Sequence, residues 1–231
     1  MASLVSQRTD QPWLRRLTLP AYQIGEAAAY AQVSPGTVVQ WHRIEAALLK
    51  QREARSALSY YQLIEVAVVA AFRKAGVPMK NIRAARAYAS NELKSEYPFA
   101  QYRFKENAKH LFLDSQQIDV KDGTILQADQ GGQLAWQVII GRLQEFEYED
   151  DVALRWHVAG TGSPIIIDPR IAFGAPAVRG TPTWIIRGRL EAGENNSDIA
   201  EDFDLKPDEV KAALKFEERV ASGREKSLVH H

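Results

Sequence analysis

The sequence has no cysteine, no long apolar run and no net charge. Without cysteine there is neither a disulfide framework nor a thiolate metal site, and a reducing cytoplasm is the expected compartment. No apolar stretch reaches the roughly 18 residues that a membrane-spanning helix needs, and Met1 to Asp10 lacks the core of a signal peptide. Catalytic signatures are equally scarce. The histidines, His42, His110, His157, His230 and His231, are scattered, and no His-x-x-x-His or Glu-x-x-His pair is there to hold a metal. The terminal two read as the start of a tag and carry no argument. Gly160-x-Gly162 is too short for a phosphate loop, Gly131-Gly132 reads as a turn, and no Ser/His/Asp set is signalled. The expectation is a soluble binding protein with no cofactor and no metal, not an enzyme.

What is present is enough chain for real cores. The 231 residues are 45% hydrophobic and 25% charged, which suits one large or two small packed domains. The charge is unevenly spread. Residues 1–110 hold 16 Lys and Arg against 8 Asp and Glu, and residues 111–231 hold 13 against 21. The first half has the sign of a nucleic-acid binder and the second does not.

Tyr22 to Arg43 pairs two short helices around a tight turn, the layout of a DNA-reading helix-turn-helix. Ile24, Ala27, Ala28 and Ala31 recur at helical spacing and make one apolar face, which Val33 closes at the turn. Ser34 is placed to cap the second helix, with Pro35 at its first position, where a missing N–H costs nothing. Val38 and Trp41 then face inward. Ser34, Gly36, Thr37, Gln40 and Arg43 are left to face a DNA groove, Thr37 and Gln40 as base-edge candidates and Ser34 and Arg43 as phosphate candidates. The same spacing also fits a plain helical hairpin.

The run Tyr22 to Ala28, then Val33 to Val38, then Trp41 resembles the MerR-like winged helix-turn-helix over about twenty residues. Val39 stands where that family usually has an arginine. Leu58 to Glu65 resembles the strand and helix start that follow the wing, without the usual Gly and Arg before the Tyr. The resemblance implies a two-fold dimer that sets two recognition helices in successive grooves.

The chain as a whole reads as α+β, mainly α: an N-terminal helix-turn-helix with a helical body, a small central β-sheet, and a C-terminal β-hairpin plus a three-helix, helix-turn-helix-like domain. The expected boundaries are 1–109, 110–159 and 160–220, with a tail at 221–231. Residues 1–20 form an arm, with Trp13, Leu14, Leu17 and Leu19 as its apolar edge, expected to dock on the body. Helices are predicted over Gln62 to Lys74 and from Met79 or Lys80 to Leu93, the second carrying Lys80, Arg83 and Arg86 outward. Turn signals at Asp122-Gly123 and Gln130 to Gly132 separate short apolar runs. Val138, Ile139, Leu143 and Phe146 then suggest one helix, and Ala153 to Val158 a strand. The acidic run Glu147 to Asp151 lacks the ligand spacing and Gly of a calcium loop and reads as solvated.

In the last block, Ile165 to Thr181 reads as two short strands with Gly and Pro at the turns. Helices follow over Pro182 to Ala192, from a cap at Ser197 with Glu201 as its partner, and from Pro207 to about Arg219. The last two again form a helix-turn-helix. Asp208 and Glu209 at the start of its second helix would repel phosphate, so protein contact is the better reading. Trp184, Asp208, Glu209 and Phe216 are the candidates for that contact, with Arg187 nearby, although Trp184 also suits a core anchor.

Ile165-x-x-Asp168-Pro169, Gly174-x-Pro176, Gly180-Thr181, then a helix, Gly193-Glu194 and a paired helical unit resemble the antitoxin domain known as unknown-function family 433, over about fifty-five residues. Pro182-Thr183-Trp184 replaces the Arg-Ile-Pro usual after Gly-Thr. With Leu58 to Leu113 upstream, including Tyr97 to Ala100, the chain resembles a VapB-type antitoxin. That resemblance implies a cognate PIN-like ribonuclease toxin as partner and operator DNA as a second. An effector-sensing MerR-like regulator and a protein-docking adaptor are the alternative readings.

Overall fold

The computed structural model describes residues 12–41, 57–102, 104, 105 and 139–228. In chain order its elements are α1 (Pro12–Arg16), α2 (Ile24–Ala31), α3 (35–41), α4 (Tyr60–Lys74), α5 (Met79–Leu93), β1 (Phe146–Glu149), β2 (Val152–Trp156), β3 (Ile165–Ile166), β4 (Ala177–Val178), β5 (Thr181–Pro182), α6 (Thr183–Glu191), α7 (Asn196–Asp202) and α8 (Pro207–Leu228). Short 3-10 turns sit at Pro98–Ala100 and Ala172–Gly174. The described residues are mainly helical with two small sheets, the α+β class expected from the sequence. None of their helices is long and apolar enough to cross a membrane. The chain divides into two compact units, Met1–Leu63 with Arg155–His231, and Ile64–Leu154.

In the first unit the chain is punctuated by caps. Glu26 reaches back to the Gln23 N–H (3.0 Å) at the start of α2, and Gln32 ends the helix in the left-handed region at φ 59°. The Val33 N–H then returns to the Ala28 carbonyl (3.0 Å), satisfying an end the helix would otherwise leave open. Tyr22 pairs with Leu58 as an antiparallel bridge, its N–H 2.9 Å from the Leu58 carbonyl and its own carbonyl accepting from the Leu58 N–H. Ser59 and Gln62 form a reciprocal cap for α4, each side chain accepting from the other's backbone N–H, so that helix starts two residues before the predicted Gln62.

Helix α8 packs on both α6 and α2. Tyr30 of α2 stacks on Phe216 of α8 with ring centroids 6.0 Å apart, and a Cβ added at Gly223 would lie 3.5 Å from the Ala29 Cβ. Helix α8 runs on to Leu228, well past Arg219. The strands β3, β4 and β5 form one antiparallel sheet with Ile165 opposite Val178 and Val178 opposite Thr181. Arg179 and Gly180, at φ 48° and 93°, make the two-residue turn between β4 and β5. Asn195, not Ser197, caps α7: its Oδ1 accepts from the Ser197 and Asp198 N–H groups. An Asn side chain one position outside the helix start reaches both donors, which a Ser already inside the first turn does not.

In the second unit Phe72, Phe99 and Phe104 form an aromatic core, with centroids 6.0 Å and 4.6 Å apart along the chain of contacts. Glu65 on α4 is fully buried, yet it accepts from Arg86 Nε (2.6 Å) and from the Phe99 N–H (3.2 Å). Arg86 is therefore turned toward this carboxylate instead of pointing outward. Phe146 belongs to β1 and not to a helix, which covers residues 139–143. The acidic run is ordered as well: Glu147 and Glu149 alternate with Tyr148 along β1, and Asp150 and Asp151, at φ 51° and 68°, turn the chain into β2. Two successive left-handed residues match the twist of a tight hairpin, and Asp tolerates that region better than most residues.

Candidate functional site

The start of α3 stands as a capped, solvent-facing helix end. Ser34 Oγ accepts from the Thr37 N–H (3.2 Å) and lies 3.1 Å from Thr37 Oγ1. Val38 and Trp41 are buried beneath it, while Ser34, Gly36 and Gln40 are exposed and Thr37 is half-buried. Four of the five candidate DNA-contact residues thus lie together on one short helical stretch. Arg43 falls outside the described residues, as does the segment where a wing would lie.

A second locus grows from Asp168. Its carboxylate is buried, and it receives the Arg170 N–H (2.8 Å), two Arg170 guanidinium nitrogens (as close as 2.7 Å) and Arg155 Nε (3.0 Å). Burial alone would raise its pKa. The bonds from Arg170 and Arg155 outweigh that and hold it below the ordinary carboxylate value.

From this anchor the chain enters an unusual turn. Ala172, Phe173 and Gly174 all have positive φ, at 46°, 56° and 81°. For the two non-glycine residues this conformation costs about 1–2 kcal/mol each, so surrounding contacts must fix it. They are found on the N-terminal segment: the Tyr22 hydroxyl donates to the Gly174 carbonyl (2.9 Å), and Arg16 donates to the Pro169 carbonyl (2.9 Å). Burial pushes the Tyr22 phenol far above its usual pKa, so it stays a donor. Position 174 favours glycine, because its φ of 81° strains any other residue and a Cβ there would lie 2.2 Å from the Tyr22 hydroxyl.

The turn holds Phe173 out in water. It is 78% exposed, with the Arg16 guanidinium stacked 4.3 Å from its ring centre. Beside it opens a groove of about 390 Å³, where Phe173, Trp184, Tyr22 and Tyr30 supply aromatic surface and Glu26 and Glu217 supply carboxylates. Trp184 is 61% exposed. One Glu217 oxygen is 2.5 Å from the Thr183 hydroxyl, and Thr183 is itself buried against the Pro176 carbonyl. Among the described residues no cluster of His, Asp or Glu is arranged to hold a metal ion.

Part of this second locus, from Asp168 through Phe173 to Trp184, falls inside a recognised sequence region. Residues 165–216 match the family model described as "Protein of unknown function (DUF433)". The chain is also similar to the Mycobacterium tuberculosis (strain ATCC 25618 / H37Rv) protein named "Putative antitoxin VapB45", with 27% identity over 89% of this chain and 97% of that one. A crystal structure of Rv2018 from Mycobacterium tuberculosis matches with a TM-score of 0.68 at 20% identity, covering 86% of this chain and 99% of that chain, and shows the shared fold. The family model thus shows the DUF433 region read from the sequence, and the Mycobacterium tuberculosis relative the likeness to a VapB-type antitoxin.

Within the DUF433 region the five candidate contact residues do not form one surface. Trp184 faces solvent on the groove and is no core anchor. Phe216 is 3% exposed and packs on Tyr30. Glu209 accepts the Lys206 N–H (2.8 Å) as a helix cap and lies 3.9 Å from Arg179, whereas Asp208 is open to solvent. Arg187 bonds Glu191 (2.6 Å), which holds its pKa above the usual value. Phe173, Glu217 and the α2 side of the groove were missed. A phenylalanine set among Ala172, Gly174 and Pro176 in a turn is the signal that pointed there.

Proposed function

We propose that this chain is the antitoxin of a type II toxin–antitoxin pair: a cytoplasmic homodimer that binds and silences a PIN-like ribonuclease and represses its own operon by binding DNA. Its role is binding, not catalysis. The observation that carries this reading is the alignment with a protein named "Putative antitoxin VapB45", which covers 89% of this chain and 97% of that protein. The presentation of Ser34, Gly36 and Gln40 over buried Val38 and Trp41 supports the DNA arm. Helix α8 is the poorer DNA reader, since Asp208 and Glu209 place negative charge at its start.

Two measurements on the full-length protein test the arms separately. The product of the adjacent reading frame, co-expressed with the chain, is expected to co-purify with it. Failure to co-purify would remove the toxin arm. A gel shift with the chain's own upstream DNA is expected to be salt-sensitive and to follow a dimer in light scattering. A folded Gln40→Ala, Arg43→Ala double variant should weaken it by about 1–3 kcal/mol. Unchanged affinity would remove the DNA assignment.

A further inference from the structure

The antitoxin reading does not say where on the chain a ribonuclease is gripped, and the groove between Phe173 and Trp184 has the chemistry to answer. Exposed aromatic side chains are ordinarily drawn inward, yet two stand open here on the same groove, one of them kept out by three successive left-handed residues. The groove itself carries carboxylates, while Arg16 stacks on Phe173 and Arg187 donates to the Glu217 backbone carbonyl (3.4 Å). Among the described residues, Glu26 and Glu217 are the charged ones in the lining, and none there is Lys or Arg. Carboxylates exclude a phosphate, so the DNA surface lies elsewhere, and they attract a cation. Aromatic faces next to carboxylates favour a guanidinium above other cations: it is planar, stacks on a ring and donates in a fork that fits a carboxylate. Arg16, stacked on Phe173 from within the same chain, shows that this ring takes a guanidinium. A protein that cleaves RNA needs a basic surface, which supplies such side chains at an interface with complementary charge.

We propose that this groove, with Trp184 and Phe173 as walls and Glu26 and Glu217 as counter-charges, is the anchor pocket for an arginine side chain of the ribonuclease partner. The proposal rests on the antitoxin reading and places its contact.

The test measures binding of the full-length chain to the purified product of the adjacent reading frame by calorimetry. Trp184→Ala and Phe173→Ala change exposed side chains, so thermal unfolding should stay as in the wild type while the dissociation constant rises at least ~10-fold for each. Glu26→Gln with Glu217→Gln keeps the hydrogen-bonding shapes, and its loss of affinity should be large at low salt and shrink as salt is added. Wild-type affinity in all three variants would overturn the groove while leaving the antitoxin reading intact. No binding by the wild-type chain would overturn both.

Discussion

Asp168 is the residue on which the DUF433 turn depends, because a buried carboxylate receiving four donor groups from Arg170 and Arg155 fixes the entry to the left-handed segment. Asp168→Asn should lower stability by about 2 kcal/mol at neutral pH, the cost of losing hydrogen bonds to a charged group. Its folded-state pKa is depressed, so the stabilisation is full above the ordinary carboxylate value near 3.9 and is lost as pH falls below it. Denaturant titrations should therefore separate wild type and variant at pH 7, with the gap narrowing progressively as pH falls below the ordinary carboxylate value. A gap that stayed constant with pH would refute the role of the charge. Gly174 makes a second case. Gly174→Ala should cost about 1–3 kcal/mol by overpacking against Tyr22, and Tyr22→Phe should cost about 1–3 kcal/mol by leaving the Gly174 carbonyl unpaired. The double variant removes the clashing hydroxyl, so its loss should be smaller than the sum. Additive losses would mean that the two positions do not meet. Neither contact was legible in the sequence: Ile165-x-x-Asp168-Pro169 and Gly174 could be read as turn chemistry, but their partners Arg155, Arg16 and Tyr22 lie far away along the chain.

At the scale of elements, local pattern carried far. The Ser34-Pro35 start of α3, the span of α5 and the start of α8 at Pro207 follow from capping chemistry and apolar spacing, and they are found there. Periodicity misplaced Phe146 and Arg86, because a short apolar residue run fits strand or helix, and because an arginine on a mostly polar face turns inward once Glu65 is buried beside it. Phe216, offered both as packing on the preceding helix and as a partner contact, is buried, and its stacking on Tyr30 could not be read before α2 is laid against it. Phe216→Ala should lower stability by about 3 kcal/mol, as for a buried aromatic removed from a core. It should weaken toxin and DNA binding only through the loss of folded protein, measured as matching midpoints in unfolding and binding assays. A fully stable Phe216→Ala protein with selectively lost partner binding would make it a contact residue instead.

For the whole molecule, the charge split between the two halves dissolves once the chain is folded. Most of the acidic surplus of the second half lies at 111–154, where 9 Asp and Glu face 2 Lys and Arg, while residues 155–231 hold 12 against 11. Residues 155–231 share one compact unit with residues 1–63, so the helix-turn-helix and the DUF433 region form one packed body. The proposed attraction for a basic partner would then rest on local carboxylates such as Glu26 and Glu217, not on net charge. Cutting the chain between the two regions would strip Tyr22 from Gly174 and α2 from α8, and functional tests belong on the intact protein. The most direct of these titrates the ribonuclease activity of the adjacent reading frame's purified product with the full-length chain. The account predicts that cleavage falls linearly and is abolished at a fixed stoichiometric ratio, in step with formation of a complex seen by size-exclusion chromatography with light scattering. Undiminished cleavage in the presence of excess folded chain would contradict it.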